Sequence, residues 1–480
     1  MPTSSPILPL FVDLDGTLIK SDLLFESLLL LIKSNPFSIF LIPLWLCRGR
    51  AYLKYQLAQR VELSVDDLPL NPEFHAYLTA QHASGRSITL ISASNQDQVK
   101  LVGERQALFQ VAIGSDRNEN LKAESKLRRI QQITGDNKFA YAGNSSADIP
   151  VWREAREVLM VNCPQNLRKK LAENGDSILC FDSPGPHLQT TLQKLLQAMR
   201  PHQWLKNGLI FLPLILSHQL DQSALLLQAA IGFVSFCLCA SSVYLLNDMF
   251  DINSDRRHQS KRRRPIASGQ LSLSYGFIGA PLLLLAAVLV ATALPADFLQ
   301  MLLLYWLITS LYSLYFKRLF LLDTVVLAIL YTWRIMAGSA AISISTTFWL
   351  ILFSLFLFLG LALVKRYAEL MNLKSLGKSS VEGRAYRIED LRVLSIIGIA
   401  ANLAAVLVFT FYINASDTTN LYDTPIVLWL ICPLLIYLLG RIWKLVLAGK
   451  LDEDPVIFAI GDYRSQTACV VCGILIWLAL

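Results

Sequence analysis

The chain has few residues that could cross-link it or bind a metal through sulfur. Its 480 residues include eight cysteines. Cys237, Cys239, Cys432, Cys469 and Cys472 lie in long apolar runs, where a cysteine packs as a small hydrophobic side chain. Cys469 and Cys472 have the spacing of a redox motif, but small packing residues are the commoner explanation inside an apolar helix. The cysteine pattern therefore excludes a disulfide framework and a cysteine-ligated metal site.

Lysine and arginine are absent from alternate loops of the second half of the chain. The sequence is 54% hydrophobic with a net charge of +7, and beyond residue 200 it consists of apolar runs of roughly 20 residues, the length that spans a bilayer. The loops near 218–224, 294–299, 340–346 and 413–424 contain neither residue. Nine spans are predicted, near 207–221, 224–247, 272–294, 297–315, 320–340, 346–365, 391–412, 425–446 and 466–480.

The basic loops set the expected orientation. Because lysine and arginine stay on the cytoplasmic side, the N-terminal domain is predicted to be cytosolic and Leu480 to lie outside. The expected location is the cytoplasmic (inner) membrane of a bacterium, with the bilayer rather than a nucleic acid as partner. The sequence leaves the oligomeric state open.

Three carboxylates stand at the end of the second predicted span. Asp248, Asp251 and Asp255 are spaced i, i+3 and i+7, so on a helix they share one stripe, called here the aspartate stripe. Their mutual repulsion favours a bound Mg²⁺, which takes oxygen ligands and shares its coordination with substrate phosphates. Basic side chains from Arg256 to Arg264 follow directly and suit a polyphosphate. The alternative is a charge run that only fixes topology, which explains the cations but not the carboxylate spacing.

Charged residues within the apolar spans are a second candidate set. Asp323 and Arg334 are eleven residues apart, close to three helical turns, so they are predicted to share a face of the fifth span. Charges inside a membrane are costly and commonly functional; the alternative is that each pairs with a neighbour. Further charged or polar residues are predicted at the same depth, namely Tyr312, Lys317, Lys365, Arg366 and Glu369.

The second half resembles the UbiA superfamily of intramembrane prenyltransferases. The resemblance covers about residues 198–480 and includes the Asn247-Asp248-x-x-Asp251 pattern. Segments 200–207, 261–269 and 365–369 resemble the decaprenyl-phosphate phosphoribosyltransferase branch, whose members transfer phosphoribose from phosphoribosyl pyrophosphate to a lipid phosphate. Gln259 stands where that branch usually has a proline.

This resemblance implies a role for each polar residue. Mg²⁺ on Asp248, Asp251 and Asp255 would bind the pyrophosphate leaving group, and Asp323 would hold a second metal or orient the ribose. Lys317, Arg334 or Arg366 would hold the lipid phosphate. The other expected substrate-binding residues are Asn247, Arg256, His258, Lys261, Arg262, Arg264, Tyr312, Lys365 and Glu369. Prenyl transfer to an aromatic acceptor is the alternative, and the match at 200–207 would then be accidental.

The first half reads as an α/β domain. Residues 7–14 form a predicted buried strand that ends in Asp13-Leu-Asp15-Gly16-Thr17. Two acids at i and i+2 point the same way, and Gly16 lets the backbone turn beneath a ligand. Later strands are predicted near 86–92, 110–113, 138–142, 157–161 and 178–181, separated by helices. This alternation predicts a parallel sheet that binds ligands at the carboxyl ends of its strands.

Asp-x-Asp-Gly-Thr after a first strand resembles the haloacid dehalogenase superfamily of phosphatases. Ser92, Lys122 and the segment from Gly143 to Asp148 match further motifs in order, over about residues 6–185. The resemblance implies that Asp13 is the nucleophile and that Asp15 is the general acid and base. Thr17, Ser92 and Lys122 would bind phosphate, with Lys126 the less favoured lysine. A second Mg²⁺ would lie on Asp13, the Asp15 carbonyl, Asn144 and Asp148.

Asn144 stands where this superfamily usually has an aspartate. An amide oxygen binds Mg²⁺ but carries no charge, so the affinity for the metal should fall unless Asp148 compensates. The alternative is a degenerate domain that tethers or regulates, including a sensor of lipid phosphate.

Residues 36–47 are too apolar for a solvated helix and too short to span a bilayer. Arg48, Arg50 and Lys54 follow. An interfacial anchor is predicted here, because aromatic and basic groups suit the membrane surface; the alternative is a buried helix.

Together these observations predict an α/β Rossmann-like haloacid dehalogenase domain with a helical cap, followed by an all-α nine-helix transmembrane bundle. The predicted divisions are residues 1–190 with the cap at about 20–80, a linker at 191–206, and the bundle at 207–480. The predicted function is transfer of 5-phosphoribose to a polyprenyl phosphate, followed by removal of the 5-phosphate.

Overall fold

The computed structural model describes residues 8–135, 138–172, 177–181, 188–375, 385–415, 421–451 and 455–480. The chain forms two compact units. The first unit contains Met1–Met199 and Tyr244–Ala280, and the second contains Arg200–Val243 and Pro281–Leu480. The segment that carries the aspartate stripe therefore belongs to the first unit. The domain boundaries predicted from the sequence stay a prediction.

A six-stranded parallel sheet forms the centre of the first unit. The strand order is β3-β2-β1-β4-β5-β6, so β1 pairs with both β2 and β4. The winding direction reverses at β1, and open parallel sheets bind ligands at the carboxyl ends of strands beside such a reversal. The predicted parallel sheet is confirmed. Its strands are β1 (Leu10–Val12), β2 (Ile88–Asn95), β3 (Val111–Ser115), β4 (Ala140–Gly143), β5 (Glu157–Val161) and β6 (Ser177–Phe181).

Both faces of this sheet are covered. Successive side chains of a strand point to opposite faces. Leu10 and Val12 accordingly join one hydrophobic core, and Phe11 joins another. The helices of the first unit are α1 (Leu23–Ser34), α2 (Ile42–Cys47), α3 (Arg50–Ala58), α4 (Pro72–Ala83), α5 (Gln96–Gln106), α6 (Glu124–Thr134), α7 (Ile149–Glu154), α8 (Gln165–Ala172), α9 (Leu188–Met199) and α12 (Ile252–Arg257).

A group of helices, called here the cap, stands between β1 and β2. It consists of α1, a 3-10 helix at Pro36–Leu41, α2, α3 and a 3-10 helix at Val65–Asp67, and its small core includes Leu31 and Trp45. Its apolar segment at 36–47 is only half covered. Phe37, Phe40 and Leu44 are 78%, 73% and 63% exposed. The alternative of a fully buried helix is therefore wrong.

Seven helices in the described residues are long and apolar enough to cross a membrane. The predicted count of nine is not confirmed. The segment predicted as the first span divides into a 3-10 helix at Pro201–Phe211 and α10 (Leu212–Leu216), where Pro213 lacks the amide that a continuous helix needs. The last predicted span, α20 (Tyr463–Ala479), has 17 residues and is about 25 Å long, short of a hydrocarbon core of about 30 Å.

The seven long helices are given by the bounds of their apolar segments. These are Ser223–Phe250 (α11), Leu273–Ala291 (α13), Ala296–Arg318 (α14 and a 3-10 turn), Leu322–Ile342 (α15), Phe348–Ser375 (α16), Ile388–Ile413 (a 3-10 turn and α17) and Pro425–Leu447 (a 3-10 turn and α18). A short helix, α19 (Pro455–Gly461), precedes α20.

Candidate active sites

The first candidate site lies at the carboxyl ends of β1, β2 and β4. Asp13 follows β1 directly, and its Oδ1 accepts a hydrogen bond of 2.8 Å from Lys126 Nζ. The same ammonium lies 3.5 Å from Asp148 Oδ1 and donates to the Tyr141 hydroxyl at 2.9 Å. All four residues are buried. The strand ends thus bring two carboxylates to one cation.

Asp15 is held by a second group of donors. Its Oδ2 accepts from Ser94 Oγ at 2.6 Å and from Ser92 Oγ at 3.2 Å, while Oδ1 accepts from the Leu23 amide at 2.8 Å. Ser92, predicted to bind phosphate, therefore lies at this site. The sequence prediction missed Ser94, although both serines point the same way from the end of β2.

The structure places Lys126, and not Lys122, beside Asp13. Lys122 is exposed in the turn before α6. Lys126 is 4% exposed because α6 turns Lys126, Leu127, Ile130 and Thr134 inward. These residues follow the helical spacing of a buried stripe. That periodicity was the signal in the sequence that favoured Lys126.

The loop after β4 carries the remaining acid. Asp148 Oδ2 accepts from the Asn144 amide at 3.2 Å and from the Ser145 amide at 3.0 Å. The Asn144 side chain lies against Gly16, where a Cβ would stand 2.0 Å from Asn144 Nδ2. Gly16 also has φ +77°, a conformation that favours glycine. Thr17 is fully buried, and its Oγ1 has no hydrogen-bond partner among the described residues.

Burial controls the protonation of this site. Desolvation raises the pKa of Asp13 to about 7, and the charges of Asp148 and Asp15 add to the rise while Lys126 opposes it. Desolvation also raises the pKa of Asp15 to about 6. The pKa of Lys126 is lowered by burial, but the Asp13 and Asp148 carboxylates outweigh this effect and raise it overall. Near neutral pH, Asp15 can therefore release and recover a proton.

The donor atoms at this site suit a divalent cation. Asp13, Asp148 and Asn144 offer the carboxylate and amide oxygens that Mg²⁺ prefers. In the structure, Lys126 Nζ supplies the positive charge between Asp13 and Asp148. Within the residues that the structure describes, no group of three or more His, Cys, Asp or Glu side chains has metal-site geometry.

The aspartate stripe is folded around an arginine. Asp248 lies in the last turn of α11, which ends at Phe250, and Asp255 lies in α12; the helix is interrupted at Asp251, which caps α12. Arg264 Nη1 lies 3.2 Å from Asp248 Oδ1 and 2.5 Å from Asp255 Oδ2. Burial raises the pKa of Asp255. Two carboxylates of the stripe therefore face a common cation, and the oxygen atoms present fit Mg²⁺.

The other residues predicted near the stripe divide into two groups. Arg256 forms a buried ion pair with Glu26 of α1 at 2.5 Å, so the structure places it against the cap. Asn247 is half-buried, and its Oδ1 has no hydrogen-bond partner in the described ranges. The exposed residues of this set are His258, Lys261 and Arg262.

A third polar cluster lies in the second unit around Arg366. Arg366 Nε donates to Asp323 Oδ2 at 2.6 Å, and its Nη1 lies 2.8 Å from Glu369 Oε2. Its Nη2 donates to the Tyr312 hydroxyl at 3.0 Å. Asp323 also accepts from the Tyr386 hydroxyl. Four predicted residues thus come together, and Tyr386, which the prediction missed, completes the cluster.

Arg334 lies in a different environment of the same unit. Its Nε donates to Asn207 Oδ1 at 2.9 Å and its Nη2 to the Tyr305 hydroxyl at 2.7 Å. Asp323 and Arg334 share helix α15, but their hydrogen-bond partners differ. Asn207 ends the segment 200–207 that was singled out in the sequence. Lys317 and Lys365 are both partly exposed.

Comparison with known proteins identifies the membrane half. The UbiA prenyltransferase family matches residues 209–461. With its long apolar helices, this chain is a multi-pass membrane protein. It belongs to the UbiA prenyltransferase family, as the aspartate stripe indicated.

Three relatives extend the comparison. Uncharacterized protein y4nM of Sinorhizobium fredii is 34% identical over 461 residues, 95% of this chain and 88% of that protein. Nodulation protein NoeC of Azorhizobium caulinodans is 32% identical over 277 residues, 57% of this chain and 89% of NoeC. Decaprenyl-phosphate phosphoribosyltransferase of Mycolicibacterium smegmatis is 33% identical over 180 residues, 37% of this chain and 57% of that enzyme. This chain thus spans little more than half the length of that phosphoribosyltransferase.

Proposed function

We propose that this protein transfers 5-phosphoribose from phosphoribosyl pyrophosphate to a polyprenyl phosphate and then removes the 5-phosphate, giving polyprenyl-phosphoryl ribose. The observation that carries the proposal is that the first unit holds two separate carboxylate sites. In one site Asp13 and Asp148 form ion pairs with Lys126. In the other, Asp248 and Asp255 form ion pairs with Arg264. Similarity to decaprenyl-phosphate phosphoribosyltransferase supports the first step.

In the transfer step the lipid phosphate oxygen attacks C1 of the ribose and pyrophosphate leaves. Asp248, Asp251 and Asp255 would hold Mg²⁺, which neutralises charge on the departing pyrophosphate. Lys261 and Arg262, both exposed, would bind its phosphates. Arg366 is already neutralised by Asp323 and Glu369. Its role in this scheme is therefore to order α15 and α16 rather than to hold an anion alone.

In the hydrolytic step the Asp13 carboxylate attacks phosphorus, and the ribose oxygen leaves with a proton from Asp15. Water then attacks the aspartyl-phosphate, gives its proton to Asp15 and releases inorganic phosphate, which restores Asp13. Mg²⁺ on Asp13, the Asp15 carbonyl, Asn144 and Asp148 would offset the phosphate charge. Lys126 lies where it can hold a phosphate oxygen beside Asp13.

The second unit offers an apolar space for the isoprenoid tail. A cavity of about 640 Å³ lies between α17 and α18, with Leu403, Val406 and Leu439 among its lining residues. Trp443 also lines it and packs in the hydrophobic cluster that contains Tyr386, the partner of Asp323. An apolar tail in such a space is shielded from water.

In the decisive test, membranes that contain the protein are incubated with labelled phosphoribosyl pyrophosphate and a polyprenyl phosphate. Label in the lipid phase supports the proposal. Transfer of a prenyl group to an aromatic acceptor without ribosylation would instead favour the second candidate, which the family relationship itself suggests.

The expected location is the bacterial inner membrane with the first unit in the cytosol, because the basic loops follow the positive-inside pattern. Phosphoribosyl pyrophosphate is a cytosolic metabolite, which agrees with this orientation. Protease digestion of sealed inverted vesicles tests it: the first unit should be cleaved without detergent.

We expect Lys126→Met to reduce hydrolysis of p-nitrophenyl phosphate by roughly 100-fold or more, because a buried charge-assisted contact to the phosphate is lost. Methionine keeps the length of the side chain within the buried stripe of α6. Lys122→Met is the matched control and should stay within about two-fold of wild type. The reverse ranking of the two variants would contradict the site geometry.

The exposed apolar face of the cap is proposed to lie on the membrane surface. Replacing Phe37, Phe40 and Leu44 together by serine should reduce hydrolysis of a lipid-borne phosphate by roughly ten-fold. Burial of these apolar side chains in the membrane surface favours this position of the cap. Hydrolysis of p-nitrophenyl phosphate should be unchanged.

The control replaces three exposed apolar residues outside this face, Leu101, Ile133 and Leu192. This variant should hydrolyse both the lipid-borne phosphate and p-nitrophenyl phosphate at the wild-type rate. Equal losses of lipid hydrolysis in the two triple variants would contradict the anchor.

A further inference from the structure

The aspartate stripe is held by the cap of the first unit through buried and exposed ion pairs. Arg256 Nη2 lies 2.5 Å from Glu26 Oε1, and Nη1 lies 3.3 Å from Oε2. The side chains are 8% and 4% exposed. A bidentate pair of this kind fixes both distance and orientation. The next residue, Arg257, forms a second bidentate pair with Asp67 of the cap at 2.5 and 2.9 Å.

The backbone around the stripe is also tied to the cap. Lys33 Nζ donates to the Phe250 carbonyl at 2.8 Å, at the end of α11 and next to Asp251. Gly269 approaches Lys20 so closely that a Cβ on it would stand 2.6 Å from Lys20 Cβ. Contacts from the cap and from Lys20, which precedes α1, thus reach residues on both sides of Asp251 and Asp255.

Arg256 connects Glu26 to the stripe itself. It lies next to Asp255 in α12, and its Nε donates to the Ala267 carbonyl at 3.3 Å. Ala267 lies three residues after Arg264, whose guanidinium contacts Asp248 and Asp255. The guanidinium of Arg256 therefore connects α12 to the loop that carries Arg264.

We propose that Glu26 is a positioning residue for the transferase: through its ion pair with Arg256 it holds α12 where Asp255 and Asp248 face a common cation. This inference rests on the proposed transfer reaction. It also gives the cap a second role, because α1, which carries Glu26, begins at the Leu23 amide that binds Asp15 of the phosphatase site. The cap thus contributes to both sites of the first unit.

The first measurement is the kinetics of ribosyl transfer by full-length Glu26→Gln in membranes. Glutamine keeps the shape but removes the charge, which leaves Arg256 buried without its counter-ion. The KM for phosphoribosyl pyrophosphate should rise by about ten-fold, the factor that 1.4 kcal/mol gives, while kcat changes less. Asp66→Asn is the matched control. Asp66, the residue before Asp67, forms an exposed bidentate ion pair with Arg105. Loss of this pair should leave the KM for phosphoribosyl pyrophosphate unchanged.

A double-mutant cycle separates positioning from general destabilisation. If Glu26 acts through Arg256, the effect of Glu26→Gln disappears in an Arg256→Gln background, since the buried charge is then absent as well. Independent, additive effects of the two substitutions on KM would overturn the proposal.

Hydrogen exchange in full-length protein provides a measurement that does not need the transferase reaction. Amides of α12 should exchange faster in Glu26→Gln than in wild type or Asp66→Asn, while those of β1 and β4 stay protected. Unchanged exchange in α12 would overturn the proposal. If wild type itself transfers no ribose phosphate, the proposed function fails, and exchange alone then decides whether Glu26 holds α12.

Discussion

Lipid that keeps its 5-phosphate should accumulate when Asp13 is replaced by asparagine. The amide preserves the size of the side chain but cannot attack phosphorus, so hydrolysis should fall by roughly 10³-fold or more. Ribosyl transfer should continue, because Asp248 and Asp255 form a site of their own. Mass spectrometry of the lipid extract measures both products, since the two lipids differ by the mass of one phosphoryl group, HPO3.

Asp116→Asn is a suitable control for this substitution. Asp116 is an exposed acid of the same domain whose side chain accepts from the Asn118 amide. It should give the wild-type ratio of products. A dephosphorylated lipid formed by Asp13→Asn as fast as by wild type would show that the N-terminal domain does not act on this product. If the lipid made by wild type also retains the 5-phosphate at high Mg²⁺, the uncharged Asn144 has weakened the metal site. This result would favour the alternative that the N-terminal domain is a sensor of lipid phosphate.

The converse result is expected for the aspartate stripe. Asp248→Ala or Asp251→Ala should reduce ribosyl transfer by at least about 100-fold, because each substitution removes an oxygen ligand and a negative charge from the proposed Mg²⁺ site. Hydrolysis of p-nitrophenyl phosphate should remain within about two-fold of wild type. Both activities are measured in the same membrane preparation.

Asp297→Ala is the matched control for the stripe variants. Asp297 is an exposed carboxylate in the first turn of a membrane helix, α14. Its removal should leave both activities intact. Equal loss of transfer and hydrolysis in a well-folded Asp248→Ala protein would contradict the two-site scheme.

The local patterns of the sequence were sufficient for the main elements. The six strands were predicted because parallel strands that are buried on both faces are short continuous apolar runs. The long membrane helices were predicted because uninterrupted apolar segments of this length have few other uses in a protein. Asp13 and Asp15 followed from the end of β1, where the chain must turn. Each of these signals depends only on residues close together in the chain.

The division of the first predicted span shows where such reasoning stops. Segment 207–221 is apolar enough for a span, but Pro213 and the positive φ of His218 break it into short helices. Hydropathy sums the side chains in a window and does not detect lost backbone hydrogen bonds.

Contacts between distant residues were decided only by the tertiary structure. The orientation of α6 selects Lys126 over Lys122, and the fold brings Ser94 to Asp15. Glu26 and Arg256 are 230 residues apart in the chain. The sequence around either residue does not identify its partner, because an ion pair requires only that two opposite charges lie close together in space.

The sequence by itself therefore determined the main elements: a membrane-spanning half of the UbiA type and a parallel sheet. It also determined that acidic residues stand at the ends of these elements. The tertiary structure decided which charge neutralises which. Arg366 meets Asp323, Arg264 meets Asp248 and Asp255, and Arg256 meets Glu26. The physical reason is that a buried charge must find its counter-charge in space, and spatial neighbours are fixed by packing rather than by position along the chain.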